Sequence, residues 1–360
     1  MTSPLGEVLV ASGGQYVGEP ATASPAHFGN PFAEYDAAHK FAAIMDRSSL
    51  SKLELRGPDR VKFLHNLCTN DIKSLAACHG CEAYFTNAHG KILAQVRLFA
   101  EANSHWIDTV PGSSATLFAH LERYHIMEKV DLADRTNDFA QVILAGPRAC
   151  EIVMNASGTP AASLRNLQHA PFNVDGAAGD LIYHELLGIP AFELRVPAEH
   201  AVQLWKRIWQ AGQPAGLRPM GDAAFEMLRI EAGLPVYGAD VTDANLPQEV
   251  GRIDRTTSFT KGCYLGQETV ARIDALGHVN RHLVGLMMRD LRESPPAGSS
   301  ILAGEKPVGH VTSACFSPAL DCAIALGYVR RGFERRGTEL IVDSSGLRIP
   351  ASVQLLPFRA

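Results

Sequence analysis

The chain has 360 residues, 46% hydrophobic and 20% charged, with a formal net charge of −5. That length exceeds one ordinary core and predicts two or three domains, and the composition excludes extended disorder. The mild negative charge excludes a global field for nucleic acid, although local basic clusters can still hold small anions.

Residues 1–10 lack the basic start and long apolar core of a secretory signal, and no stretch reaches the ~18 apolar residues of a membrane span. The seven cysteines are odd in number and widely spread. They fit a reducing compartment better than a disulfide framework. The expectation is a soluble cytoplasmic protein with neither nucleic acid nor membrane as partner.

Residues 1–30 are rich in Gly, Ala, Ser and Pro without a sustained period, and read as a flexible N-terminal arm. Patterning begins at residues 34–46, where Tyr35, Ala38, Phe41, Ala42 and Met45 recur at helical spacing. A strand follows over 52–56, then the turn Gly57-Pro58-Asp59 and a helix to Asn66. Strands are predicted over 82–86, 91–100 and 105–110, the first two joined by Asn87-Ala88-His89-Gly90, then a helix over 113–124.

The same grammar repeats about 90 residues on: strand 139–145, turn Gly146-Pro147-Arg148, helix from Ala149, strands 180–185 and 191–196, helix 197–209. Each half reads as a split βαβ, ferredoxin-like lobe. A further helix covers 221–232, residues 240–260 read as charged loop, and short strands beyond 280 predict a small β-barrel. The fold class is thus α+β: an arm (1–30), a first α/β lobe (31–135), a second (136–279) and a C-terminal barrel domain (280–360).

The segment with the densest chemistry is Lys261-Gly262-Cys263-Tyr264-Leu265-Gly266-Gln267-Glu268. Glycines let backbone approach a ligand closely, and a lysine two residues from a cysteine can favour the thiolate. The bland alternative is a Gly-bounded turn entering a helix or strand at 268–273, with Cys263 simply buried. This segment resembles the K-G-C-[YF]-x-G-Q-E signature of the folate-binding YgfZ/IBA57 family. Those proteins assist iron–sulfur cluster assembly or repair and are relatives of the glycine-cleavage T-protein.

Further motifs carry the resemblance. Asp46-Arg47-Ser48 with residues 53–63 is similar to the family's opening strand and helix, Cys68-Thr69-Asn70-Asp71-Ile72 to its C-T-N-D motif, and residues 86–92 to its T-N-x-x-G-[KR] turn. Residues 228–233 resemble the L-R-[LI]-E-A-G helix shared with T-proteins, and residues 309–313 and 325–329 the paired strands of their last domain. Together they cover about residues 34–358. The resemblance implies three lobes around a central folate cavity. It also implies tetrahydrofolate, or a C1-substituted form, as cofactor and iron–sulfur client or carrier proteins as partners.

As implied site residues it gives Cys263 as reactive thiol beside Lys261. Asn87, Gln95, Arg229, Tyr264, Gln267 and Glu268 are the folate contacts it implies. Arginine pairs bidentately with carboxylates such as the folate's glutamate; the plain alternative for Arg229 is a solvated partner of Glu231. Arg252, Arg255 and Arg272 add a supporting basic set.

The departures bear on activity. T-proteins end the first hairpin in G-G-x-x-D-D, whereas this chain has Gly90-Lys91-Ile92-Leu93-Ala94-Gln95. Gln95 hydrogen-bonds but cannot exchange a proton at neutral pH. The G-Y-T-G-E motif corresponds to residues 185–189, with Ile189 in place of glutamate. Aminomethyltransferase activity is therefore in doubt.

The leading expectation is a folate-binding assistant of iron–sulfur enzymes. The alternative is a folate-dependent C1 transferase, an aminomethyltransferase or demethylase relative with Asp240 or Asp243 standing in for the missing acid. A ligand-free scaffold is the third. Cys78-His79-Gly80-Cys81 has no second ligand pair at zinc spacing, so it reads as an ordinary loop and no metal site is expected. Trp205 and Trp209, with Leu204 and Ile208, read as one apolar helix face.

Overall fold

A computed structural model describes residues 3–17, 24–289 and 291–358, with the side chain of Leu276 also outside the described set. The chain divides into two compact units. One comprises Met1–Arg60, Ser74–Cys81 and Arg97–Glu226; the other Val61–Lys73, Glu82–Val96 and Met227–Ala360.

In the first unit a six-stranded sheet runs in the order Leu217–Pro219, Ala42–Asp46, Phe139–Ala145, Ala191–Pro197, Ala177–His184, His169–Val174. Its strands pair antiparallel except for the parallel pair of Ala42–Asp46 with Leu217–Pro219. Helix Ala201–Gly212 buries Leu204, Trp205 and Ile208 in the same core as Ile44, Val142, Leu144 and Leu194. Each such side chain contributes about 1.5–3 kcal/mol relative to exposure. That burial, more than helix propensity, fixes the helix in place.

A five-stranded sheet has the order His79–Thr86, Ile92–Ala100, Ser104–Thr109, Ser51–Arg56, Asp131–Asp134. The division between the units falls inside its first two strands.

The expected repeat is visible in the element order. Strand Ser51–Arg56, helix Arg60–Leu67, three strands and helix Ser114–Arg123 are matched by strand Phe139–Ala145, helix Ala149–Ser157, three strands and helix Ala201–Gly212. The second half holds one strand more than the sequence predicts, His169–Val174. It is an edge strand, where Pro171 removes no needed ladder bond.

Three further differences stand out. The helix expected over 34–46 ends at Lys40, and Ala42–Asp46 is a fully buried strand. Apolar residues without polar alternation suit a strand covered on both faces as well as a helix, and pairing on both edges decides it. That strand belongs to the sheet of the second half, so the sheets do not follow a cut at residue 135. Residues 6–11, read as part of a flexible arm, form a helix, and Leu5 and Leu9 are buried in the first unit's core.

In the second unit six strands close a barrel in the order Arg281–Met288, Cys322–Arg330, Lys306–Ser317, Ser300–Ala303, Glu339–Ser344, Leu347–Gln354. Alternation along these strands sends Val284, Leu286, Ile301, Val308, Val342 and Val353 inward. Among the described residues no helix is long and apolar enough to cross a membrane.

Candidate functional site

All eight residues singled out from the sequence as site candidates lie in the second unit. The signature segment leaves a short helix, Ile253–Thr256, crosses residues 261–266 without regular structure, and enters helix Gln267–Leu276. Gly266 caps that helix at φ +84°. A Cβ there would lie 2.4 Å from the Asn87 carbonyl oxygen and 3.0 Å from the Gly90 Cα. Only glycine permits that approach, and it brings the signature against the Asn87–Gly90 hairpin turn. Thr86 Oγ1 donates to the Leu265 carbonyl at 2.6 Å, and Leu265 N donates to Asn66 O at 3.0 Å. Two motifs joined by a contact spanning 179 residues of sequence thus form one surface.

Lys261 takes a different role from the expected thiol activator. It is buried, and its ammonium donates to the carbonyl oxygens of His65, Cys68 and Asn70 at 2.5, 2.7 and 2.7 Å. Three acceptors saturate an ammonium's three protons. The lysine therefore neutralises the end of helix Arg60–Leu67 and ties the signature to the C-T-N-D segment. Lys261→Ala leaves these carbonyls without their donor and is expected to destabilise the unit by about 3 kcal/mol or more. A fall in the urea midpoint checks this, and an unchanged midpoint with altered chemistry would return Lys261 to a reactive role.

Tyr264 is buried with its ring 5.0 Å from the Lys261 ammonium, and burial pushes its phenol up, so it stays neutral. Cys263 is exposed, which removes the simple buried-thiol alternative. Glu268 is exposed in the first turn of its helix, complementing the helix dipole. Gln267 begins that helix, its backbone N–H bonded to the Tyr264 carbonyl. Asn87 Oδ1 accepts from the backbone of His89 and Lys91 and shapes its own turn.

Gln95 is half-buried, and its Nε2 donates to the Pro235 carbonyl at 3.1 Å, while Ala94 points into the core. The structure therefore places no carboxylate at either hairpin position.

Arg229 is neither surface-exposed nor open to a ligand. It is 2% exposed, and its Nη1 donates to Asp240 Oδ2 at 2.8 Å and to the Leu234 carbonyl at 3.2 Å. Its Nη2 donates to Ser313 Oγ at 2.8 Å. Asp240 also accepts from Val236 N, Thr312 Oγ1 and Ser313 Oγ. Both oxygens of this buried carboxylate are occupied by these bonds, so Asp240 is not presented to a ligand as the substitute acid. Asp243 sits exposed in the neighbouring turn.

Cys78 is exposed at φ +63° and Cys81 half-buried, both in the first unit. Among the described residues no group of three His, Cys, Asp or Glu side chains is placed to hold a metal.

Sequence reasoning missed two groups. One is buried His65, which lies beside Asp71 and lends its carbonyl to Lys261. The other is a buried polar centre in the first unit, where Arg97, Asp108, Gln141, His184, Glu193 and Arg195 meet. The signal for the second was legible: Ala191-Phe192-Glu193-Leu194-Arg195-Val196 sets charges at alternate positions of an apolar strand.

A mixed α/β body followed by a closed six-stranded barrel defines the T-protein fold. The GCVT N-terminal domain family matches residues 6–261, and the glycine cleavage T-protein C-terminal barrel domain matches residues 281–359. The chain belongs to the glycine cleavage T-protein family. Similar curated proteins are the aminomethyltransferase of Symbiobacterium thermophilum, 29% identical over 99% of this chain and 96% of that one. Another is that of Desulforamulus reducens, 28% identical over 99% and 97%. The crystal structure of glycine cleavage system aminomethyltransferase T from Bartonella henselae superposes with a TM-score of 0.89 at 24% identity, covering 99% of this chain and 98% of that one. Proteins of this family use tetrahydrofolate as substrate or cofactor.

Proposed function

We propose that this chain binds a tetrahydrofolate and assists the assembly or repair of iron–sulfur enzymes, with Cys263 as its working thiol. The observation that carries this reading is the chemistry at two positions. Where the transferases keep acids, Ala94 is in the core and Gln95 is bonded to a backbone carbonyl. Where the signature adds a thiol, that thiol is exposed on a segment pinned by Lys261 and Gly266. Gln95 has no proton to exchange with a folate nitrogen, whereas a thiolate is a nucleophile and a soft metal ligand.

A second reading, a folate-dependent C1 transferase, has the names of the relatives in its favour, since the similar curated proteins are aminomethyltransferases. It fits the family better and the site worse. Nucleic acid and membrane have no part in either reading, and both act on a soluble folate in the cytoplasm.

The deciding experiment is a calorimetric titration with tetrahydrofolate, run beside two assays. We expect binding by the intact protein and by Cys263→Ser alike. Iron–sulfur enzyme activity in cells lacking the chain should recover with the intact protein and not with Cys263→Ser. Formation of methylene-tetrahydrofolate from an aminomethylated lipoyl protein would install the transferase reading instead. Absence of folate binding would remove both.

A further inference from the structure

One cavity in the second unit has no part in the site described above. It opens at one end of the barrel, holds about 270 Å³, and has Arg281, Pro307, His310, Tyr328 and Arg330 among its lining residues. Strand register puts the four polar ones on one face. Arg281 stands directly opposite Arg330, and His310 directly opposite Tyr328. Tyr328 and Arg330 are two apart on their strand, so all four side chains leave the sheet on the same side. Val329, between them, fills the barrel core instead.

Stability of the barrel does not account for this arrangement. Like charges directly opposite on paired strands are destabilising, and none of the described residues lining the cavity carries a carboxylate. Arg281 is fixed in place. Its Nε donates to Glu249 Oε2 at 3.1 Å, its Nη2 donates to the Ala244 carbonyl at 2.9 Å, and its guanidinium carbon lies 5.1 Å from the centre of the Tyr328 ring. Nη1 is left without a partner among the described residues. Glu249 offsets the charge of Arg281 only. Arg330 and His310 are exposed, and neither side chain makes a hydrogen bond to a described residue. The His310 ring stacks on Tyr328, with centres 6.0 Å apart and planes 30° from parallel.

We infer that this cavity binds a small phosphate monoester, its phosphate held between Arg281, Arg330 and His310 and its organic group against Pro307 and the imidazole face. Donors from three strands suit the three terminal oxygens of a phosphate, whereas a carboxylate offers two. Both guanidinium groups keep their charge at any working pH. Burial first, and then Arg281, push His310 down, so its imidazole is neutral near pH 7 and offers one ring N–H. The volume lies just below the roughly 300–1,000 Å³ of drug-sized ligand sites, which matches a phosphate carrying one small ring.

The test uses phenyl phosphate, inorganic phosphate and benzoate, titrated into the full chain by calorimetry. We expect phenyl phosphate to bind best, inorganic phosphate to compete with it more weakly, and benzoate not to bind. Arg330→Gln removes an exposed side chain with no partner among the described residues, and should weaken phenyl phosphate roughly tenfold or more. His310→Asn should weaken it less. Without ligand, the urea midpoint of Arg330→Gln should equal or exceed that of the intact protein, because the opposed charges are gone. Phenyl phosphate should then raise the midpoint of the intact protein and leave that of the variant nearly unmoved. No binding of phenyl phosphate at millimolar concentration overturns the inference, and so does binding that Arg330→Gln leaves unchanged. Benzoate binding as well as phenyl phosphate would overturn the assignment to phosphate. None of these readouts depends on folate or on Cys263.

Discussion

Arg229→Ala is expected to lower the stability of the barrel-bearing unit by about 3–5 kcal/mol, measured as a shift of its urea midpoint. The reason is what the substitution leaves behind. Asp240 is 1% exposed, and the guanidinium faces its carboxylate at 2.8 Å. Removing the arginine strands a buried carboxylate and two acceptors, Leu234 O and Ser313 Oγ. The ion pair also joins helix Asp222–Glu231 to the barrel strand Lys306–Ser317 through Ser313. Arg229→Ala with Asp240→Ala should cost less than the single substitution, since the unpaired charge goes too. A ligand-contacting arginine without a structural part would give the opposite: unchanged stability with weakened folate binding.

The second large effect lies in the first unit. Glu193 is buried, and both its oxygens accept from Arg97, at 2.7 and 2.8 Å, while His184 Nε2 lies 3.1 Å from Oε1 and Gln141 Nε2 donates to Oε2. Burial alone would raise its carboxyl, but Arg97 and the His184 hydrogen bond outweigh burial and hold it well below the usual carboxylate range. A depressed carboxyl stabilises the fold above the unfolded value of about 4.3. That contribution is present in full at neutral pH and is lost as pH falls below about 4 toward the folded value. Glu193→Ala is expected to cost about 3–5 kcal/mol at pH 7. Its acid limb should be shallower, because the group that titrates there is gone. Thermal unfolding between pH 7 and 3 checks both, and an acid limb identical to that of the intact protein would count against Glu193 as its source.

The same centre holds Lys52, whose ammonium donates to the Ser48 and Leu50 carbonyls while burial pushes it down to about 8. Nothing in a one-dimensional pattern announces this lysine. It occupies an alternate position of Ser51–Arg56 that reads as the solvent face of a strand. In the fold that face is covered instead, and Lys52 is fully buried. Arg229 misled in the same way. Its motif was legible, but only the fold shows that its charge is already matched by Asp240.

The sequence by itself determined the α/β body and closing barrel, because strand and helix periods and turn residues are local properties. It also determined the duplicated element order and the grouping of Thr86–Ile92 with the signature among the chain's motifs. It determined that Ala94 and Gln95 carry no exchangeable proton at neutral pH, since that follows from residue type alone. Tertiary structure decided what each charged group faces. It turned Ala42–Asp46 from helix to central strand by offering partners on both edges, and buried Leu5 and Leu9 of the supposed arm. It saturated Lys261, Arg229 and Asp240 with partners distant in sequence, and left Cys263 exposed. Burial and long-range pairing set those outcomes, and both are properties of the assembled chain rather than of any window along it.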